Sequence, residues 1–247
     1  MTDLDPRLVA LYDLDNPDGP DHDHFRALAD RLAARTIVDL GCGTGLLTVT
    51  LARSGRRVVG IDPDGAMLDF ARSRRGGDGV TWVRGDSRVL GAADADLVVM
   101  SGNVAQVIVG DAWPRTLEDV CRALRPGGTL AFESRNPAAR AWTRWTRPAT
   151  WGRRETGNGP VVEWLDVTDV QGDGTVTFDA HSVYEGSQEH LVSTVTLAFR
   201  SRQQLESDLA AAGLELVAVH GGWREEPVDA TSALLVVEAL RPLRSAG

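Results

Sequence analysis

From Thr36 onward the chain alternates short apolar runs with amphipathic helical stretches, and this rhythm constrains the fold more than any other feature. TIVDL reads as a buried strand, LLTVTLARSG as a helix stopped at Gly55, RRVVGID as a second strand and DGAMLDFARSRR as a second helix. VTWVRGD, ADLVVMS and GTLAFES supply the third, fourth and fifth strands, with WPRTLEDVCRALRPGG as the helix between the last two. Strands so continuously apolar must be covered on both faces, which predicts a parallel sheet between two layers of helices. After Asn136 the period changes. NPAARAWTRWTR predicts a helix capped by Asn136, with Pro137 at its first position. VVEWLDVTDV, TVTFDAHSVYE and HLVSTVTLAFR alternate with period two and predict a three-stranded antiparallel meander. SRQQLESDLAAAG then returns to a helix with Ser201 as its cap, and LELVAVH and LLVVEAL are the last two strands. Residues 1–136 and 201–247 thus make one α/β domain, and residues 137–200 are an insertion on it.

The composition removes whole classes of chemistry. All 26 basic residues are arginine, so no lysine Schiff base and no Walker-type phosphate loop exists. A net charge of −9 argues against general nucleic-acid binding. No window is apolar enough for a membrane span, and the acidic MTDLDPRL start lacks the apolar core of a signal peptide. Cys42 and Cys121 are far apart with no histidine or cysteine at ligand spacing. That speaks against a disulfide framework or a metal centre and fits a reducing cytoplasm. Residues 1–35 read as an acidic lead-in, with PDGPDHDHF as a solvated loop in which His22 and His24 alternate with aspartates, followed by HFRALADRLAAR with Phe25, Leu28 and Leu32 at helical spacing.

Three strand ends carry groups suited to a nucleoside. Asp39-Leu40-Gly41-Cys42-Gly43-Thr44-Gly45 joins the first strand to a helix, where glycines permit a tight turn and close backbone approach by a ligand. Asp62 closes the second strand, where a carboxylate can accept both hydroxyls of a ribose; capping the helix that follows Pro63 is its ordinary alternative. Gly85-Asp86-Ser87 follows the third strand, and Asp86 can accept from an adenine amine. The spacing is GxGxG rather than GxGxxG, which disfavours a nucleotide-linked oxidoreductase.

Taken together, VDLGCGTG, GIDPDGAML, WVRGD and LRPGGTLAFES resemble the class I S-adenosylmethionine-dependent methyltransferases of small-molecule type, over about residues 36–136 and 201–240. The resemblance implies an α/β, Rossmann-like seven-stranded sheet of order 3-2-1-4-5-7-6, with the last strand antiparallel. It implies S-adenosyl-L-methionine as cofactor. Asp39, Gly41, Cys42, Gly43 and Gly45 would lie along its methionine part, Asp62 on the ribose, and Pro63 and Met67 beside the nucleoside. Asp86 and Ser87 would meet adenine, Ser101, Gly102 and Asn103 would line the methyl-transfer end, and Tyr12 would close over the cofactor.

The acceptor is expected to be a small molecule, chosen by the insertion and by Gln106 and Arg135. Trp142, Trp145 and Tyr184 are the aromatic candidates, with Arg140, Arg144 and Arg147 on a separate helical face; a solvated arginine face with packed tryptophans is the plain alternative. His181 and Tyr184 are the two candidates for a base, and Glu133 also points toward the site mouth. Cys121 reads as a core residue. A cofactor-binding protein without transfer activity and an RNA or protein methyltransferase stay open as alternatives. Oligomeric state is not specified by the sequence.

Overall fold

The structure is a computed structural model that describes residues 3–92 and 94–243, so the first two residues of the MTDLDPRL stretch lie outside the described residues. Two helices come first, α1 (Pro6–Asp15) and α2 (Pro20–Arg31). The alternating part follows as β1 (Thr36–Leu40), α3 (Thr48–Leu51), β2 (Arg57–Asp62), α4 (Gly65–Ser73), β3 (Thr81–Arg84), β4 (Ala95–Met100), α5 (Val104–Val107), α6 (Ala112–Ala123) and β5 (Leu124–Arg135). The insertion holds α7 (Arg147–Thr150), β6 (Gly152–Arg154), β7 (Val161–Val170), β8 (Thr175–Tyr184) and β9 (Glu189–Ala198). The chain ends through α8 (Arg202–Ala211), β10 (Glu215–His220) and β11 (Leu234–Leu240).

The main sheet has the order β10-β11-β5-β4-β1-β2-β3, and β11 is antiparallel to both of its neighbours. With β6–β9 set apart in their own sheet, this is the expected 3-2-1-4-5-7-6. Alternate residues of the central strands enter opposite cores. Ile37, Leu97, Val99 and Ala131 pack with Phe25 and Leu28 of α2 and Leu51 of α3. Val38, Val98, Met100, Leu130 and Phe132 pack with Trp113 and Leu117 of α6 and Leu205 and Leu209 of α8. Full burial of each such side chain contributes about 2 kcal/mol, which makes register costly to slip. Ser201 caps α8 in a reciprocal box with Gln204, as its position predicts.

Four local expectations are corrected. The acidic lead-in is helical: Pro6 and Pro20 stand at first helical positions, Asp5 caps α1, and Asp21 and Asp23 sit in the first turn of α2. Prolines and aspartates that look like loop residues are there as helix starters. His22 and His24 are accordingly buried in side chain rather than solvated. The LLTVTLARSG helix is a single turn at Thr48–Leu51. The inserted sheet has four strands, because the short β6 adds to β7.

The fourth correction concerns 137–147, which is no continuous helix. Pro137–Ala139 and Ala141–Arg144 are separate 3-10 turns, broken by Arg140 at φ 47°. Residues i and i+3 eclipse in a 3-10 turn, so Trp142 and Trp145 share a face and both reach Phe199, at 4.5 and 5.9 Å between ring centroids. Cys121 is half-buried at the edge of the core, its thiol 3.6 Å from the Gly213 carbonyl.

Gly45 illustrates how tightly the first loop is packed. It has φ +73°, and an added Cβ would stand 2.5 Å from Trp82 Cη2 and 3.0 Å from Ala71 Cβ. Gly55 has φ +82° with nothing within 4 Å of such a Cβ. Gly45→Ala is expected to cost about 3 kcal/mol in urea unfolding, strain plus overpacking, and Gly55→Ala about 1 kcal/mol from backbone strain alone. Equal losses would contradict the packing account.

Candidate active site

The apolar sheet interior keeps most of its buried polar side chains near its carboxyl ends, and several converge there. The loop after β1 turns through Gly41, Gly43 and Gly45, all at positive φ. The Gly41 and Cys42 N–H groups donate back to the Ile61 carbonyl at 2.7 and 3.0 Å. Gly43 N–H donates to Asp62 Oδ2 at 2.8 Å, and Asp64 N–H to Asp62 Oδ1 at 2.9 Å. Asp62 is thus fixed by one amide per oxygen, with further acceptor capacity on both. Its burial pushes its carboxyl above the usual range. Asp39 lies beneath the loop. One of its oxygens accepts from the Thr48 hydroxyl at 2.6 Å, the other has no partner, and burial raises the carboxyl to about 7.

A cavity of about 330 Å³ opens over this loop. Gly43 faces it bare: the nearest atom to an added Cβ is Tyr12 Cε1 at 3.8 Å. Gly41, Cys42 and Tyr12 border it on the β1 side, and Ser101, Gly102 and Asn103 on the β4 side. Tyr12 is held in place by its neighbour. Asp13 accepts from the Thr44 hydroxyl at 2.6 Å and pairs with Arg74, which ties α1 to the glycine loop. Burial, then the Asp62, Asp13 and Glu133 carboxylates, push the Tyr12 phenol up, so it stays protonated and able to donate.

Glu133, at the end of β5, forms part of the wall. It is 2% exposed; Oε1 accepts from Asn103 N–H at 2.5 Å, and Oε2 has no partner. Burial lifts its carboxyl to about 7. The far wall holds Asp15, Asp21, His22 and Trp223, and no described arginine borders the cavity. Asp15, Asp21 and His22 are absent from the expected site residues because α1 reads as lead-in and the first turn of α2 as loop, with helical spacing evident only from Phe25 on. The proline-led helix starts were the signal that could have found them.

Other expected residues lie outside the cavity wall. Gly45 packs under Trp82, and Met67 is buried in α4 with its N–H on the Asp64 side chain. Pro63 directly follows Asp62, its carbonyl accepting from Arg84 Nε at 3.2 Å. Asp86 forms a bidentate pair with Arg88, which holds its carboxyl below the usual range. The Ser87 hydroxyl turns inward to Asp119 at 2.7 Å, so only its backbone faces outward duties. Gln106 is fully buried and accepts from Arg135 Nη1 at 3.0 Å. Trp142 and Trp145 pack on Phe199 within the insertion, and Arg135 stands 5.6 Å from the Trp145 ring. Tyr184 packs with Leu11 and Val161, its hydroxyl buried without a partner, under the Arg7 guanidinium. His181 is on the opposite face of that sheet, stacked on Trp164 and 2.9 Å from His190. Neither candidate base borders the cavity. Among the described residues no group of three or more His, Cys, Asp or Glu is arranged to hold a metal, and no helix is long and apolar enough to cross a membrane.

This constellation has close parallels. A family model described as a methyltransferase domain matches residues 37–128. The cypemycin N-terminal methyltransferase of a Streptomyces species is 30% identical over 218 residues, 83% of each chain. The chain belongs to the S-adenosylmethionine-dependent methyltransferases. The methyltransferase superposes on the CcbJ methyltransferase of Streptomyces caelestis with a TM-score of 0.80, at 24% identity over 96% of this chain and 97% of that one. It also superposes on the CalS10 amino pentose methyltransferase of Micromonospora echinaspora, solved with the cofactor bound, with a TM-score of 0.68 at 21% identity over 98% and 99%. Its cofactor is S-adenosylmethionine. The residues present fit that molecule: an acidic cavity without arginine suits a sulfonium, and bare Gly43 beside the fixed Asp62 suits an adenosyl group.

Buried Glu133 sets a pH dependence in the ligand-free enzyme. Its folded pKa of about 7 exceeds the ordinary 4.5, so between these values the native state binds the proton more tightly than the unfolded chain. Stability from this group therefore falls as pH rises through that window. Glu133→Gln is expected to gain stability relative to the parent as pH is raised from about 5 to about 8 in urea unfolding. A difference that does not change with pH would contradict the assignment.

Proposed function

We propose that this enzyme transfers the methyl group of S-adenosylmethionine to a small-molecule acceptor by in-line displacement. The observation that carries the proposal is the convergence of the carboxyl ends of β1, β4 and β5 on one cavity, with Gly43 bare toward it and tied to Asp62, which two backbone amides orient. In this reading Gly41, Cys42 and Gly43 lie along the methionine part, with Asp39 and Gly45 shaping the loop from beneath. Asp62 accepts the ribose hydroxyls, and Pro63 and Met67 flank the nucleoside. Asp86 and the Ser87 backbone meet adenine, and Ser101, Gly102 and Asn103 line the methyl-transfer end. Tyr12 covers the site from α1.

When bound, the cofactor supplies a methyl group already activated on a sulfonium. The chain's own contribution is alignment and exclusion of water, which is worth on the order of 10 kcal/mol at best. The inserted sheet is the acceptor side. The Arg7–Glu189 and Arg154–Asp15 ion pairs hold it to α1 on that side of the fold. Trp142, Trp145 and buried Tyr184 give this cap its rigidity, and Arg135, held by Gln106, selects the acceptor from beneath it. Arg135 is a half-buried guanidinium with no carboxylate within ion-pair distance among the described residues, which supports a role toward a polar acceptor group.

The cypemycin relative is named for methylation at an N-terminus. Amines therefore head the acceptor panel, with phenols and carboxylic acids beside them. Calorimetric titration with S-adenosylmethionine should give saturable binding, and Asp62→Ala should weaken it at least about tenfold through loss of the ribose contacts. Unchanged affinity would remove Asp62 from the site. Methyl release in that panel should appear with at least one small acceptor, and release with RNA or protein alone would overturn the small-molecule reading.

A further inference from the structure

Glu133 is more than a cavity wall. It is a buried carboxylate with one oxygen committed to Asn103 N–H and the other bound to nothing. Leaving such an acceptor unpaired in the interior is costly, and a ligand donor is the natural compensation. Asn103 shares the feature: its side-chain oxygen is buried, unpartnered and on the same wall. Asn103 also holds φ +61°, a conformation asparagine tolerates better than most residues, and the Glu133 bond pins it there. Two buried acceptor oxygens without partners, one of them a carboxyl oxygen, thus belong to residues that line a cavity bordered by no described arginine. A group with several N–H donors and a positive charge satisfies both at once.

We infer that Glu133 Oε2, with Asn103 Oδ1, forms the subsite for the α-ammonium group of the cofactor's methionine end. The inference rests on the methyl-transfer reading above, which puts that end between the residues following β1 and β4. Glu133 stands on this same wall, whereas Trp142, Trp145 and Tyr184 of the acceptor side do not border the cavity. The subsite acts on binding and position. It fixes one end of the methionine chain, and through that chain the direction in which the methyl group points.

The test compares two ligands that differ only at this group: S-adenosylhomocysteine and its analogue carrying a hydroxyl in place of the amine. Methylthioadenosine, which lacks the amino-acid tail, reports on the nucleoside end and on folding. The parent enzyme should bind S-adenosylhomocysteine at least tenfold tighter than the hydroxyl analogue. Glu133→Gln, which keeps the shape and the bond to Asn103 N–H, should reduce that preference below threefold and leave methylthioadenosine affinity within twofold. Asn103→Gly, which keeps the positive φ accessible, should lower the preference by a smaller factor. A preference that persists in Glu133→Gln, or an equal loss of methylthioadenosine binding, overturns the subsite. A parent enzyme that binds neither S-adenosylhomocysteine nor methylthioadenosine overturns the site assignment itself, which is a separate failure.

Discussion

The exclusion of polar groups from a doubly covered parallel sheet governs this molecule. β1, β4 and β5 are apolar on both faces because helices cover both. Three buried carboxylates stand where strands run out, next to the amides of the turns that follow, whereas Glu238 within β11 is buried against Arg31. Asp39 lies within the last turn of β1, Asp62 ends β2, and Glu133 lies two residues from the end of β5. Each is buried, each has its carboxyl pushed upward by that burial, and each is held by a short-range donor: a hydroxyl, two amides and one amide respectively. Concentrating carboxylates in this way destabilises the empty protein and prepares it for a cationic ligand.

The rest of the structure converts that strip of strand ends into an enclosed site. α1 contributes the Tyr12 ring over Gly43, and its charged residues reach both parts of the fold. Asp13 bonds Thr44 and Arg74 of the main domain, while Arg7 and Asp15 pair with Glu189 and Arg154 of the inserted sheet. These pairs are partly exposed, and individually each contributes about 1 kcal/mol or less. Their value is geometric, since they join the two parts over the cavity. Arg200 anchors the other end of the insertion by donating to the Ala105 and Ile108 carbonyls around α5.

Much of the fold was legible because burial enforces periodicity. Continuous apolar runs gave β1, β4 and β5, period-two runs gave β7 to β9, and Ser201 with Gln204 marked α8. The strand-end carboxylates were legible for the same reason, since an aspartate at the limit of an apolar run has few alternatives. Legibility failed where one residue type serves two purposes. Pro6, Pro20 and the nearby aspartates start helices as readily as they form loops; the helical spacing of Phe25 and Leu28 was legible, but where α2 begins was settled only by the fold. The tryptophans of the insertion failed differently. Their shared face was legible, yet the continuous helix was not what forms: separate 3-10 turns carry both indoles onto Phe199.

The sequence by itself determined the order of elements, the positive-φ loop after β1 and the carboxylates at the ends of β1 and β2, because local periodicity and glycine placement are properties of neighbouring residues. Tertiary structure alone decided that Glu133 keeps a buried oxygen without a partner, that His181 and Tyr184 face opposite sides of the inserted sheet away from the cavity, and that α1 supplies part of the cavity wall. Those facts depend on which distant segments share a surface, and desolvation and hydrogen-bond pairing are settled only when those segments meet.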